Sequence, residues 1–168
     1  VLGTKETRSN LITSIYLAHE SLEAHIRALE LKYENAQARE VRYEEIGVED
    51  ADILLVGYGI VSRVLRRVVG LCREQGIRAG LLRPITLWPF PSRRLLELSR
   101  RAKQILVVEL STGQMVEDVR LAVGERCPIQ FYGRQGGMVP TAEEVLERIR
   151  EAARGFRFEE VAHAQAVA

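Results

Sequence analysis

From Ile53 onward, short unbroken apolar runs alternate with longer amphipathic segments, and this alternation restricts the fold more than any other feature of the chain. Ile53-Leu54-Leu55-Val56-Gly57 contains no polar residue, the pattern of a strand covered on both faces rather than one with a wet side. Ile60 to Gln75 reads as a helix stopped by Gly76, because glycine takes the left-handed conformation that closes a helix. Arg78 to Arg83 is the next strand, Pro91 and Ser92 open a helix to about Arg101, and Gln104 to Leu110 is a further apolar strand. A helix from Gly113 to Val123, a short strand from Ile129 to Tyr132 and a helix from Thr141 to about Arg154 complete the order. In the last of these, Thr141 and Glu144 form a capping box, each side chain bonding the other's backbone N–H. Parallel strands need long crossover connections whereas antiparallel ones accept tight hairpins, so strands separated by helices predict a mostly parallel sheet covered on both faces.

The residues before this series differ from it. Val1 to Asn10 is polar and irregular. Ser21 to Arg39 reads as one amphipathic helix, with Leu22, Ile26, Leu29, Tyr33 and Ala36 on a narrow stripe,. Ser21 is the expected N-cap, with Glu23 in the first turn where the helix dipole favours it,. The stripe packs either on its own domain or on a partner. Val41, Tyr43 and Ile46 suggest a short edge strand. The organisation is therefore a linker and helical arm over 1–40, an α/β domain over 41–155 and a tail over 156–168, in which Phe156 and Phe158 can pack locally.

Charge excludes several function classes. With 24 Lys+Arg against 23 Asp+Glu the formal net charge is +1, which leaves no electrostatic footprint for nucleic acid or an anionic membrane. No apolar run approaches the roughly 20 residues that span a bilayer. The opening Val1-Leu2-Gly3 shows neither an initiator Met nor a signal-peptide pattern, suggesting a processed or excised piece,. Cys72 and Cys127 have no second cysteine or histidine at ligand spacing and read as ordinary thiols of a reducing cytoplasm, not as metal ligands.

Candidates for chemistry are few. Gly57-Tyr58-Gly59 lies between a strand and a helix, where backbone N–H groups can cradle an anion,. A dinucleotide fingerprint would need a third glycine where Ser62 stands, so a sterically required turn is the competing reading,. Gly136-Gly137 before Pro140 reads as a turn first. His19, His25 and His163 lie away from the strand ends, where α/β sites form,, and are expected to face solvent. Ser111 and Thr112 lack a base to activate them and are expected to cap the helix near Gly113, and Glu109, Glu117 and Asp118 do not cluster with histidine,. No residue is assigned to catalysis, to cofactor binding or to a metal. The unusual stretch is Arg83-Pro84-Ile85-Thr86-Leu87-Trp88-Pro89-Phe90-Pro91, which holds three of the five prolines and the single tryptophan. Proline fixes the backbone before docking, and Trp88 and Phe90 offer large apolar area. The segment either plugs its own core or anchors an interface. Arg83, Trp88, Phe90, Leu22, Ile26, Leu29 and Tyr33 are the interface candidates.

The run from Gly80 to Pro91 also resembles the signature segment of 2-oxoacid:ferredoxin oxidoreductase alpha subunits. The likeness continues through Glu109-Leu110-Ser111-Thr112-Gly113-Gln114-Met115-Val116-Glu117-Asp118-Val119, Phe131 to Gly137 and Val139-Pro140-Thr141. Lys32-Tyr33 and Val41-Arg42-Tyr43-Glu44-Glu45 are similar to the linker of the branched-chain (2-ketoisovalerate, VorB-like) type, while Thr112 stands where that family often has Met. The resemblance implies a fold similar to the C-terminal domain of transketolase: three α/β/α layers and a five-stranded, mostly parallel sheet, with Val41–Ile46 as its antiparallel edge. It implies a complete cytoplasmic enzyme that decarboxylates a 2-oxoacid on thiamine diphosphate and Mg, passes electrons through iron–sulfur clusters to ferredoxin, and forms an acyl-CoA. Its implied partners are a thiamine-binding beta, a gamma and a ferredoxin-like delta subunit, and a preceding domain of the alpha subunit itself, with a homodimer as a further possibility. No catalytic residue of the family maps onto this chain. A transketolase or dehydrogenase E1 C-terminal domain, or a free-standing anion-binding domain, are the alternatives.

Overall fold

The computed structural model describes residues 4–7 and 15–151. The chain divides into two compact units between Arg39 and Glu40. In the first, helix α1 (His19–Arg39) buries none of its residues. It starts two residues before the expected cap, so Ser21 lies inside the helix and Glu20, not Glu23, is the acid of the first turn. Glu20 gains there from the dipole, and serine is only mildly unfavourable within a helix. Glu23 instead pairs with Arg27 one turn on, at 2.6 Å. His25 stacks on Tyr16 with ring centroids 4.6 Å apart and is only partly exposed.

The second unit runs β1 (Tyr43–Ile46), β2 (Ile53–Val56), α2 (Gly59–Glu74), β3 (Ala79–Pro84), α3 (Ser92–Ser99), β4 (Gln104–Glu109), α4 (Met115–Val123) and β5 (Ile129–Gly133). Helix α5 follows, described over residues 142–151. The sheet order is β1-β3-β2-β4-β5, with β1 antiparallel to β3 and every other pair parallel. This is the expected mixed sheet of a three-layer fold.

Strand residues alternate between the two faces, and the core divides accordingly. Ile53, Leu55 and Leu81 pack with Leu65 and Val68 of α2 and Val145 and Ile149 of α5. Leu54, Val56 and Leu82 face Leu95 and Leu98 of α3 and Val116 and Val119 of α4. Every residue of β2 and β4 is buried, which is why β2 is wholly apolar and β4 is polar only at its ends, Gln104 and Glu109.

The edge strand is fastened to both helical layers by consecutive carboxylates. Glu44 accepts from Arg66 of α2 at 2.8 Å and from Arg83 at 3.1 Å, while Glu45 takes both ends of the Arg94 guanidinium of α3 at 2.5 and 3.0 Å. Charge on an edge also discourages further strand pairing. Helix α4 begins at Met115 instead of Gly113, because Gly113 has φ +108, outside helical space. The capping box of α5 forms as expected: Thr141 N–H donates to Glu144 at 2.8 Å, and Glu144 N–H donates to the Thr141 hydroxyl at 3.1 Å. Gly136 and Gly137, at φ +63 and +82, make the expected turn. Residues 152–154 of the expected last helix, Phe156, Phe158 and His163 lie outside the described residues.

Candidate functional site at the carboxyl edge of the sheet

Parallel strands deliver the loops that follow them to one edge, and open α/β sheets bind ligands where neighbouring connections leave on opposite faces. Here that point lies between β2 and β4, since α2 covers one face and α4 the other. Two strand-to-helix turns meet there.

The first, Gly57-Tyr58-Gly59, is shaped by sterics. A Cβ on Gly57 would sit 2.5 Å from Leu65 Cδ1 and 3.2 Å from the Val108 carbonyl. Gly59 has φ +57, where glycine alone is unstrained,. Tyr58 caps α2 without a side-chain bond, and the Ser62 hydroxyl is spent on the Gly59 carbonyl at 2.7 Å.

The second turn contains the residue that sequence reading missed. Glu109, the last residue of β4, is wholly buried. Its carboxylate accepts the Met115 and Val116 N–H groups at 2.9 Å each, Gln114 N–H at 3.3 Å and the Ser111 hydroxyl at 3.1 Å. The first turn of α4, where backbone donors have no helical partner, is thus filled by the chain's own negative charge. Ser111 is a member of this network, accepting Gly113 N–H at 3.0 Å, whereas Thr112 is exposed. The expected Ser111–Thr112 cap is therefore corrected to Glu109 with Ser111. The available signal was an acid closing a largely apolar strand, since a buried charge must be paired.

Around these turns the interface candidates take different places. Trp88 is 57% exposed, whereas Phe90 is half-buried against the core beneath α3 and α4. The Trp88–Pro89 peptide is cis, and the Thr86 hydroxyl bonds the Pro89 carbonyl at 2.9 Å. Arg83 is partly exposed and holds Glu44, but its Nε is buried without a hydrogen-bond partner. Arg66 and Arg83 hold the Glu44 carboxyl below the usual carboxylate range. On α1, Leu22, Ile26 and Tyr33 are exposed and Leu29 is half-buried.

The donor set does not fit an iron–sulfur cluster. An iron–sulfur cluster takes four thiolates, and the chain has two cysteines. Both are buried, with the Cys72 thiol pushed up to about 11 by desolvation and Cys127 raised for the same reason. Among the described residues no group of three His, Cys, Asp or Glu is placed to hold a metal ion, and none of their helices is long and apolar enough to cross a membrane.

Residues 51–145 match the family model described as pyruvate:ferredoxin oxidoreductase core domain II. The ketoisovalerate oxidoreductase subunit VorB of Methanothermobacter thermautotrophicus is 48% identical over 91% of this chain and 43% of its own length. The 2-oxoglutarate synthase subunit KorA of Methanothermobacter marburgensis is 30% identical over 78% of this chain and 34% of its own. The chain thus spans less than half the length of these relatives. In fold it is similar to 2-oxoglutarate:ferredoxin oxidoreductase from Magnetococcus marinus, solved with 2-oxoglutarate, coenzyme A and succinyl-CoA, at TM-score 0.70 and 22% identity over 81% of this chain and 24% of that one. A split-gene transketolase, an inactive beta4 tetramer, aligns at TM-score 0.57 and 18% identity over 66% of this chain and 41% of that one. With the family model covering more than half of its residues, and a core built on the same sheet, the chain belongs to the pyruvate:ferredoxin oxidoreductase core domain II family.

Proposed function

We propose that this chain is the C-terminal part of the alpha subunit of a cytoplasmic 2-oxoacid:ferredoxin oxidoreductase of the branched-chain type, and that its role there is assembly. The observation that carries the reading is the 48% identity to VorB across 91% of the chain. The complete enzyme oxidatively decarboxylates a 2-oxoacid, 2-ketoisovalerate for preference, to an acyl-CoA and reduces ferredoxin. Thiamine diphosphate, Mg and the iron–sulfur clusters belong to the parts of the enzyme beyond this chain, including a thiamine-binding beta, a gamma and a ferredoxin-like delta subunit. Both helical layers, the capped α4 and the stapled edge strand are the properties of a rigid mount.

Trp88 and Phe90, with Arg83 at the far end of the same segment, anchor a contact between domains or subunits. The stripe Leu22, Ile26, Leu29 and Tyr33 on α1 supplies a second contact, to another subunit or to a second copy. A 2-oxoacid site would need cations or backbone donors aimed at a carboxylate, and the segment around Trp88 has only Arg83, which already serves Glu44.

The test is to purify the oxidoreductase that contains this chain and measure ferredoxin reduction with 2-ketoisovalerate, pyruvate and 2-oxoglutarate in the presence of coenzyme A. Higher kcat/KM for 2-ketoisovalerate supports the reading, and equal or higher values for either other acid refute the branched-chain assignment. Trp88→Ala should lower recovered complex while leaving the KM of intact complex unchanged. A raised KM at full assembly would mean that the loop reads substrate.

A further inference from the structure

Helix α1 is continuous over 21 residues and buries none of them. A lone helix of this length is marginal in water, and helices in proteins owe most of their stability to an apolar face that something covers. The residues of α1 fall into three whole heptads, with His19, Ile26 and Tyr33 at a and Leu22, Leu29 and Ala36 at d. Spacings that alternate between three and four give the stripe a period of 3.5, that of a left-handed coiled coil. Such a seam is narrower than the face a helix lays on a globular core. Leu22, Ile26 and Tyr33 are 37, 46 and 47% exposed along it. Leu31, at f, is the one large apolar side chain of α1 off the seam.

The side chains flanking the seam select its occupant. The e positions hold Glu23, Glu30 and Gln37, and the g positions hold His25, Lys32 and Arg39, so acids and bases are segregated to opposite sides. In a parallel pair of identical helices each g residue faces the e residue five positions further on in its partner. His25 then meets Glu30 of the second copy and Lys32 meets Gln37, with no like charges opposed. Reversing one helix sets e against e and g against g. Glu23 would then oppose Glu30, and His25 would oppose Lys32, each twice. Like charges placed this way disfavour the reversed pair.

Packing points the same way. A β-branched residue at a with leucine at d favours two parallel strands, and the central layers of α1 are Leu22 at d, Ile26 at a and Leu29 at d. His19, the polar residue at the first a position, is exposed at the end of the seam.

We propose that α1 pairs, parallel and in register, with α1 of a second copy of this chain through Leu22, Ile26, Leu29 and Tyr33. The proposal deepens the assembly role given above and rests on it in taking the stripe as a contact surface.

Sedimentation equilibrium of the 168-residue chain should show a monomer–dimer equilibrium approaching twice 19.0 kDa at high concentration. Ile26→Asp with Leu29→Asp should weaken it about a hundredfold or more, since two apolar side chains per helix leave the seam. Leu31→Asp, off the seam, should leave it unchanged. The urea transition of the α/β unit should be the same in all three proteins; its loss in the double variant would place the stripe in the chain's own core and overturn the proposal. Oxidation of Leu22→Cys should yield a disulfide-linked homodimer, because a parallel d layer brings the two Cα atoms within bonding reach. The parent chain, whose Cys72 and Cys127 are buried, should stay uncrosslinked. In the reversed pair Leu22 faces Tyr33 and the two Leu22 residues lie about 16 Å apart, so only a mixture of Leu22→Cys with Tyr33→Cys would crosslink. A monomer at every concentration, a dimer indifferent to the double variant, or one that Leu22→Cys alone does not crosslink each overturns the proposal. The subunit reading fails separately, on the substrate preference of the oxidoreductase: a monomeric chain in an enzyme that prefers 2-ketoisovalerate removes only the pairing.

Discussion

The turns after β2 and β4 occupy equivalent places on neighbouring central strands, yet they satisfy their helices in opposite ways. After β2 the chain uses absent side chains: Gly57 permits close packing under Leu65, Gly59 permits a left-handed backbone, and α2 has no side-chain cap and no acid in its first turn. After β4 it uses a present one, the buried Glu109 carboxylate, which takes up three backbone donors of α4. The lesson is that a strand-to-helix turn with the right address for an anion is not thereby an anion site. One turn has a tightly packed floor, and the other already holds its anion.

The largest effect should come from Glu109→Ala. Removing the carboxylate strands buried donors and opens a cavity, so urea unfolding should show a loss of about 3 kcal/mol or more. A loss below about 1 kcal/mol would mean that water serves the α4 donors equally well, and the contrast between the turns would disappear. Gly57→Ala should come next, at about 2 kcal/mol, because its Cβ meets Leu65 Cδ1 at 2.5 Å,. Combining it with Leu65→Ala should remove the clash, so the two losses should add to more than the double variant shows. Gly59→Ala should be milder, about 1 kcal/mol, since nothing lies within 4 Å of its added Cβ and only the positive φ resists,. A Gly59 effect larger than that of Gly57 would show that backbone conformation, not packing, dictates the first turn.

The smallest effect sets a partly exposed carboxylate against the buried one. Arg66 and Arg83 lower the Glu44 pKa in the folded chain, so Glu44 binds its proton more readily when unfolded. Its contribution is present above the ordinary glutamate range and fades as pH falls through and below it. Stability of Glu44→Gln measured from pH 7 to pH 3 should therefore differ slightly from the parent at neutrality and converge on it in acid. A gap that widens on acidification would contradict the sign.

Much of this was legible in the sequence, for reasons that can be named residue by residue. Ile53–Val56 could only be a doubly covered strand, and helices between strands could only mean crossovers. Thr141 and Glu144 are close in sequence, so their capping box needed no tertiary information. The start of α1 was misjudged because Ser21 is compatible both with a cap and with a helical interior, and local propensity differs little between them,. The α4 cap was misassigned to Ser111 and Thr112 because the donors lie five to seven residues from Glu109, beyond the reach of a local capping pattern.

By itself the sequence determined the fold class, the order of elements and the family, because hydrophobic period and short turn motifs act over a few residues. Only the tertiary structure decided which charges are partners and which apolar residues remain wet. Glu44 and Glu45 differ by one position and are fastened to opposite layers; Trp88 and Phe90 are both aromatic residues between prolines, yet one is exposed and the other reaches the core. Ile60, Trp88, Leu110 and Met138 are distant along the chain, yet each stays exposed and follows the carboxyl end of a parallel strand of one sheet. Burial and pairing depend on what the fold places opposite a residue, and that information is spread across every strand that precedes or follows it.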